Sequence, residues 1–194
     1  MKRTAVCLAL WLAVTTAGAA VDLAAGAAKA QVCFACHGPQ GVSQTAQTPS
    51  LAGQPDGFLQ WQLVFFRSGV RKNPVMQPMA ASLTDDDIRN LAAYFAAQKP
   101  PAAGSNGAAD AALYAAGQQL ALRNRCASCH RDDYAGMQAA ARTAAQREDY
   151  LLSALRAFKA GTRTGGGVAA MPDVVYPLGD DELRALAHFM AHLP

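Results

Sequence analysis

Cys33-Phe34-Ala35-Cys36-His37 and Cys126-Ala127-Ser128-Cys129-His130 repeat one spacing, Cys-x-x-Cys-His, and together use every cysteine beyond position 7. That spacing attaches a c-type haem. Two thiols one helical turn apart can add to the two vinyl groups on one porphyrin edge, and the adjacent histidine then turns inward to give the iron an imidazole. Cys-x-x-Cys also serves as half a zinc site or as a redox dithiol. A zinc site built from Cys33, Cys36, Cys126 and Cys129 would have to bridge the 89 residues between the pairs, far beyond the roughly 15–20 of four-cysteine zinc sites. The sequence therefore predicts two covalently bound haem c groups, held by Cys33 and Cys36 and by Cys126 and Cys129, with His37 and His130 as iron ligands.

The N-terminus fits an oxidising compartment. Lys2 and Arg3 precede an apolar run from Ala5 to Val14, and Ala17-Gly18-Ala19-Ala20 offers small residues for cleavage. This reads as a secretory signal peptide over 1–20, which implies the periplasm. A run that short does not span a bilayer, which takes about 20 apolar residues; an uncleaved anchor is the alternative. Cys7 leaves with the signal. Formal charge is +3 for the whole chain and +1 once Lys2 and Arg3 are removed, with no basic footprint for nucleic acid.

The elements around the haem motifs occur twice. A helical pattern from Phe58 to Gly69 returns from Tyr150 to Gly161, 92 positions later, with Gly69 and Gly161 as C-terminal caps. Leu83-Thr84-Asp85-Asp86-Asp87-Ile88 opens a helix running to Phe95, and Leu178-Gly179-Asp180-Asp181-Glu182-Leu183 opens one running to Met190. The acidic first turns complement the helix dipole. Alanine-rich helical segments precede each haem motif, broken by Gly26 and Gly117, which suit close helix crossings. No strand-like alternation appears, so the fold is all-α. Lys99 to Gly107 concentrates proline and glycine and reads as a linker. The expected organisation is a signal over 1–20, a first haem domain over 21–99, a linker over 100–108 and a second haem domain over 109–194. Domains of under a hundred residues bury little apolar surface, so a fixed macrocycle would centre each core.

The repeat also suggests the sixth iron ligands. Met76 and Met171 each lie seven residues before the leucine that precedes an acidic helix, whereas Met79 has Val174 as its counterpart. Met76 and Met171 are the favoured ligands, the alternative being methionines that only fill gaps. A thioether opposite histidine favours ferrous iron and fills the position a substrate would take. His188 and His192 have no partners in the first half and read as packing or surface histidines.

With these motifs the chain resembles the dihaem class I cytochromes, specifically the cytochrome c4 family of bacterial periplasmic electron carriers. The first half carries the resemblance most closely, through Cys33 to Gly41, Pro49-Ser50-Leu51-Ala52-Gly53-Gln54 and the methionine loop ending at Leu83. The resemblance implies two class I domains related by a pseudo-twofold axis, with haem propionates meeting between them. It also implies that the Pro49 carbonyl accepts from the Nδ1 proton of His37. The second half departs between His130 and Tyr150: Arg131-Asp132-Asp133-Tyr134 replaces the glycine-rich turn, and Ala141 stands where Pro49 does. No imidazole partner is assigned for His130 from sequence. Arg71 and Arg163, each two residues past a helix-ending glycine, are candidates to pair with a propionate, solvated surface arginines being the alternative.

The resemblance implies a non-enzymatic carrier of single electrons between a respiratory donor and an acceptor such as a terminal oxidase. Its partners would be redox proteins, among them a membrane cytochrome complex, with any membrane association arising through them. The alternative is an electron-accepting dihaem subunit of a periplasmic dehydrogenase, such as a flavocytochrome-type sulfide dehydrogenase. A haem enzyme would need an open or unusual axial site, and the part of the chain after the expected signal has no spare cysteine to supply one.

Overall fold

The computed structural model describes residues 20–164 and 170–194; Cys7 and nearly all of the expected signal peptide lie outside the described residues. Among the described residues, ten α-helices form two similar sets of five. The first set is α1 (Leu23–Ala30), α2 (Phe34–His37), α3 (Asp56–Arg67), α4 (Met76–Ala81) and α5 (Asp85–Ala96). The second is α6 (Ala111–Arg123), α7 (Ala127–His130), α8 (Glu148–Lys159), α9 (Ala170–Val175) and α10 (Asp180–Ala191). Among the described residues there is no strand, only an isolated bridge between Met137 and Ala140. No helix among them is long and apolar enough to cross a membrane.

Side-chain caps fix where the helices begin. Asp22 accepts from the Ala25 N–H at 2.9 Å and Asp110 from the Leu113 N–H at 2.8 Å, each satisfying a donor the helix leaves unpaired. Thr84 and Asp87 form a reciprocal capping box at the start of α5. At α10 only half of that box survives: Glu182 accepts from the Gly179 N–H at 2.8 Å, and glycine offers no hydroxyl in return. Gly69 and Gly161 terminate α3 and α8 at φ 75° and 68°, a conformation open to glycine at little cost.

Each domain is closed by the crossing of its first and last long helices. A Cβ on Gly26 would lie 2.3 Å from the Asn90 carbonyl oxygen of α5, and one on Gly117 would lie 2.1 Å from the Ala185 carbonyl oxygen of α10. Both crossings therefore bring backbone against backbone. The second core gathers Leu120, Leu151, Leu155, Val175, Leu183, Leu186 and Phe189, while the first is thinner, centred on Ala30, Leu59, Leu91, Ala92 and Phe95. Phe34, Tyr94 and Phe95 pack tilted or edge-on beside the first haem motif.

The domains meet through a pseudo-symmetric exchange. Gln54 donates from Nε2 to the Arg142 carbonyl at 2.9 Å and accepts from the Arg142 N–H at 3.0 Å. Gln146 donates to the Ser50 carbonyl and accepts from the Ser50 N–H, both at 2.8 Å. The two glutamines, like their two partners, are 92 positions apart, so the contact is isologous in the sense of a twofold dimer contained in one chain. Asn106, in the connecting segment, ties that segment to the second domain by donating to the Gln146 and Ala191 carbonyls.

Candidate haem centres

Short helices place each pair of thiols beside its histidine. Cys36 in α2 is exposed and Cys33, which caps that helix, is half-buried, while His37 turns inward and is 6 % exposed; at α7 the cap Cys126 is half-buried, Cys129 exposed and His130 half-buried. None of the four cysteines is in a disulfide. Burial pushes Cys33 and Cys126 above the usual thiol range.

Each imidazole is oriented by a backbone carbonyl. His37 Nδ1 lies 2.8 Å from the Pro49 oxygen, and His130 Nδ1 lies 2.7 Å from the Ala141 oxygen. A carbonyl only accepts, so Nδ1 carries the proton in both rings and Nε2 keeps its lone pair. Neither Nε2 makes a hydrogen bond among the described residues. Burial holds both imidazoles below the ordinary histidine range against the opposing pull of the carbonyl, so they stay neutral, the form that ligates a metal. This is the arrangement a haem iron requires: a neutral ring, locked in orientation and raised in basicity by its outer hydrogen bond.

The second half reaches this geometry without the residues that make it recognisable in the first. Ala141 replaces proline, yet the acceptor is main-chain oxygen and any residue supplies it. The turn after the histidine also keeps its path. Gly38 and Gly41 have φ 77° and 85°; their counterparts Arg131 and Tyr134 have φ 70° and 54°. The Gly41 carbonyl accepts the Leu51 and Ala52 N–H groups, and the Tyr134 carbonyl accepts those of Thr143 and Ala144. Tyr134 is held there by its ring, buried edge-on against Phe189 at 5.5 Å.

Met76 opens α4, where Asn73 Oδ1 accepts the Val75 and Met76 N–H groups at 3.0 and 2.8 Å. Met76 is half-buried; Met79 is 40 % exposed. Met171 lies in α9, half-buried against the second core. The helices that follow are anchored alike, Arg67 donating to the Leu83 carbonyl at 2.8 Å and Lys159 to the Leu178 carbonyl.

His188 and His192 lie inside the second domain. The Asp110 N–H donates to His188 Nε2 at 3.0 Å, so His188 Nδ1 is protonated and faces Glu148 at 3.1 Å; His192 Nδ1 donates to the His188 carbonyl at 2.8 Å. Both Nδ1 atoms are thus committed as donors, which leaves this trio poorly suited to a metal ion. Sequence reasoning missed the Ala141 carbonyl, the paired glutamines, and Gln62 and Tyr150 as acceptors shared by Arg71 and Arg163 between the domains.

Two all-α domains in tandem, each built around a Cys-x-x-Cys-His helix and a carbonyl-oriented imidazole, define a class: dihaem proteins of the class I cytochrome c type. Known proteins agree. Residues 114–194 match the family described as Cytochrome c, and residues 21–95 match Cytochrome C oxidase, cbb3-type, subunit III. The chain is 34 % identical to cytochrome c4 of Azotobacter vinelandii over the whole of both chains. It is 35 % identical to a thiosulfate dehydrogenase electron acceptor of Stutzerimonas stutzeri, covering 84 % of this chain and 80 % of that one. The structure of reduced cytochrome c4 from Pseudomonas stutzeri superposes with a TM-score of 0.82 at 32 % identity, covering 90 % of this chain and 100 % of that one. The chain belongs to the cytochrome c4 family; it is a dihaem electron carrier and not an enzyme.

Proposed function

We propose that Cys33 and Cys36 carry the first haem with His37 and Met76 on its iron, and that Cys126 and Cys129 carry the second with His130 and Met171. In this reading the protein works in the periplasm, to which its N-terminal pattern directs it. It accepts single electrons from a respiratory donor and passes them between its domains to an acceptor such as a terminal oxidase. The observation that carries the reading is the twice-built imidazole, Nδ1 committed to a carbonyl and Nε2 free. When bound, haem c supplies a one-electron couple whose potential a thioether ligand raises. The protein's part is to fix the ring, exclude water and keep the axial position closed.

The test is the visible spectrum of periplasmically matured protein with a pyridine haemochrome count. Two haems per chain and a methionine-to-iron band of near-double intensity are expected, and Met76→Ala or Met171→Ala should each remove about half of that band. A full band in either variant would assign the ligand elsewhere.

A second reading, an electron-accepting partner of a dehydrogenase, draws support from relatives in Stutzerimonas stutzeri and Thiomonas intermedia that are named thiosulfate dehydrogenase electron acceptors. Rapid reduction by a purified thiosulfate dehydrogenase, with a stable complex in gel filtration, would favour it over the free carrier.

A further inference from the structure

The carbonyl that orients each imidazole belongs to a peptide group whose N–H is held by the opposite domain. The Pro49 oxygen, 2.8 Å from His37 Nδ1, shares its peptide plane with the Ser50 N–H, and that N–H donates to Gln146 Oε1 at 2.8 Å. The Ala141 oxygen, 2.7 Å from His130 Nδ1, shares its plane with the Arg142 N–H, which donates to Gln54 Oε1 at 3.0 Å. Each glutamine also grips the next carbonyl along, Gln146 donating to the Ser50 oxygen at 2.8 Å and Gln54 to the Arg142 oxygen at 2.9 Å. One planar amide therefore stands between a side chain of one domain and an inward-turned histidine of the other, and the arrangement is built twice.

Docking alone does not require this placement, since any exposed N–H and carbonyl would serve a glutamine as well. Both glutamines instead take the residue that directly follows an imidazole's acceptor. Ser50 and Gln146 are 3 % exposed and Gln54 is 4 % exposed, so water competes little for these bonds and the low local dielectric strengthens them. An amide whose N–H is bonded gains double-bond character between carbon and nitrogen and shifts charge toward its oxygen. That oxygen then accepts more strongly from the Nδ1 proton. A ring whose outer proton is held more firmly is a more basic ligand, and a more basic imidazole favours oxidised over reduced iron.

Resting on the haem reading above, we propose that Gln146 and Gln54 are positioning residues that act across the domain interface, Gln146 on His37 through the Pro49-Ser50 peptide and Gln54 on His130 through the Ala141-Arg142 peptide. Each domain thereby lowers the potential of the haem carried by the other. The two potentials are set by the docked pair and not by either domain alone.

The experiment combines NMR of the matured, reduced, isotopically labelled protein with haem-resolved potentiometry, on wild type and on Gln146→Leu, Gln54→Leu, Gln146→Glu and Gln54→Glu. Haem count and the methionine-to-iron band are recorded on the same samples, so a failure of the haem reading shows there first. Gln146→Leu should move the Ser50 amide proton and the His37 Nδ1 proton upfield together. It should also make reduction of the first haem about threefold more favourable, or about 28 mV at 59 mV per tenfold for a one-electron couple. Gln54→Leu should do the same to the Arg142 amide, the His130 ring proton and the second haem. Glutamate keeps an acceptor on the N–H and makes it stronger, so each glutamate variant should move the same ring proton downfield and lower the same potential. Opening of the interface does not produce that reversal, and the glutamate pair decides the matter even if the leucine variants come apart or fail to mature. An amide proton of Ser50 or Arg142 that moves while its histidine ring proton stays in place overturns the proposal. So does a glutamate variant that lowers both potentials equally with both ring protons unmoved, which is the effect of added charge alone.

Discussion

Arg131 holds an L residue where its counterpart is glycine. Its φ of 70° with ψ of 165° reproduces the 77° and 166° of Gly38, a region that only glycine enters freely and that costs a side chain of order 1–3 kcal/mol. Little offsets this: the side chain is exposed and pairs with Asp133 at 3.4 Å on the surface, where such pairs contribute little. Arg131→Gly should therefore stabilise the second domain by about 1 kcal/mol in denaturant melts of the matured protein, with its spectrum unchanged. A loss of stability would show that the arginine makes a compensating contact in the holoprotein. The same turn shows where reading residues from sequence stops. Cysteine and histidine spacing announces its chemistry because only those side chains can do it. The His130 partner is a main-chain oxygen, which leaves no mark in the identity of Ala141, and a backbone path can persist after the glycines that usually signal it are gone.

Helices carry their own signals, and these were legible. The acidic turns over 85–87 and 180–182, the capping Thr84 and the terminal Gly69 and Gly161 fall within a residue or two of the observed ends. The pattern beginning at Phe58 missed one step, since α3 starts at Asp56, placed there by Pro55 rather than by apolar spacing. Which face a helix offers, and how closely, depends on its partner. Gly117 illustrates it: a methyl group 2.1 Å from the Ala185 oxygen and 2.6 Å from the Phe189 Cβ cannot be absorbed by side-chain rotation. Gly117→Ala gains helix propensity, worth up to about 1 kcal/mol, but must part α6 from α10 and disturb the larger core. Overpacking of this kind costs about 1–3 kcal/mol. The net expectation is destabilisation, with a lower thermal midpoint for Gly117→Ala and a similar fall for Gly26→Ala. A raised midpoint in either would mean that the crossing relaxes without loss.

At the scale of the molecule, the repeat made two domains visible, but nothing in it said how they face each other. Gln54 and Gln146 are two ordinary polar residues in the sequence; only docking makes each of them a substitute for a backbone partner. Both are nearly fully buried, as is Ser50, so removing either amide strands an N–H and a carbonyl of the opposite domain. Each stranded group costs about 1–3 kcal/mol, unless the interface opens to let water in. Opening would also expose Arg71, Arg163 and Tyr150, whose contacts cross the same interface. Gln54→Ala should therefore split a single calorimetric transition of the matured protein into two, and Gln146→Ala should do the same. The double variant should add little, because the second exchange has nothing left to hold once the first is lost and such coupled sites are not additive. Two fully additive losses within one cooperative transition would show instead that the glutamines act independently and that the domains are held together elsewhere.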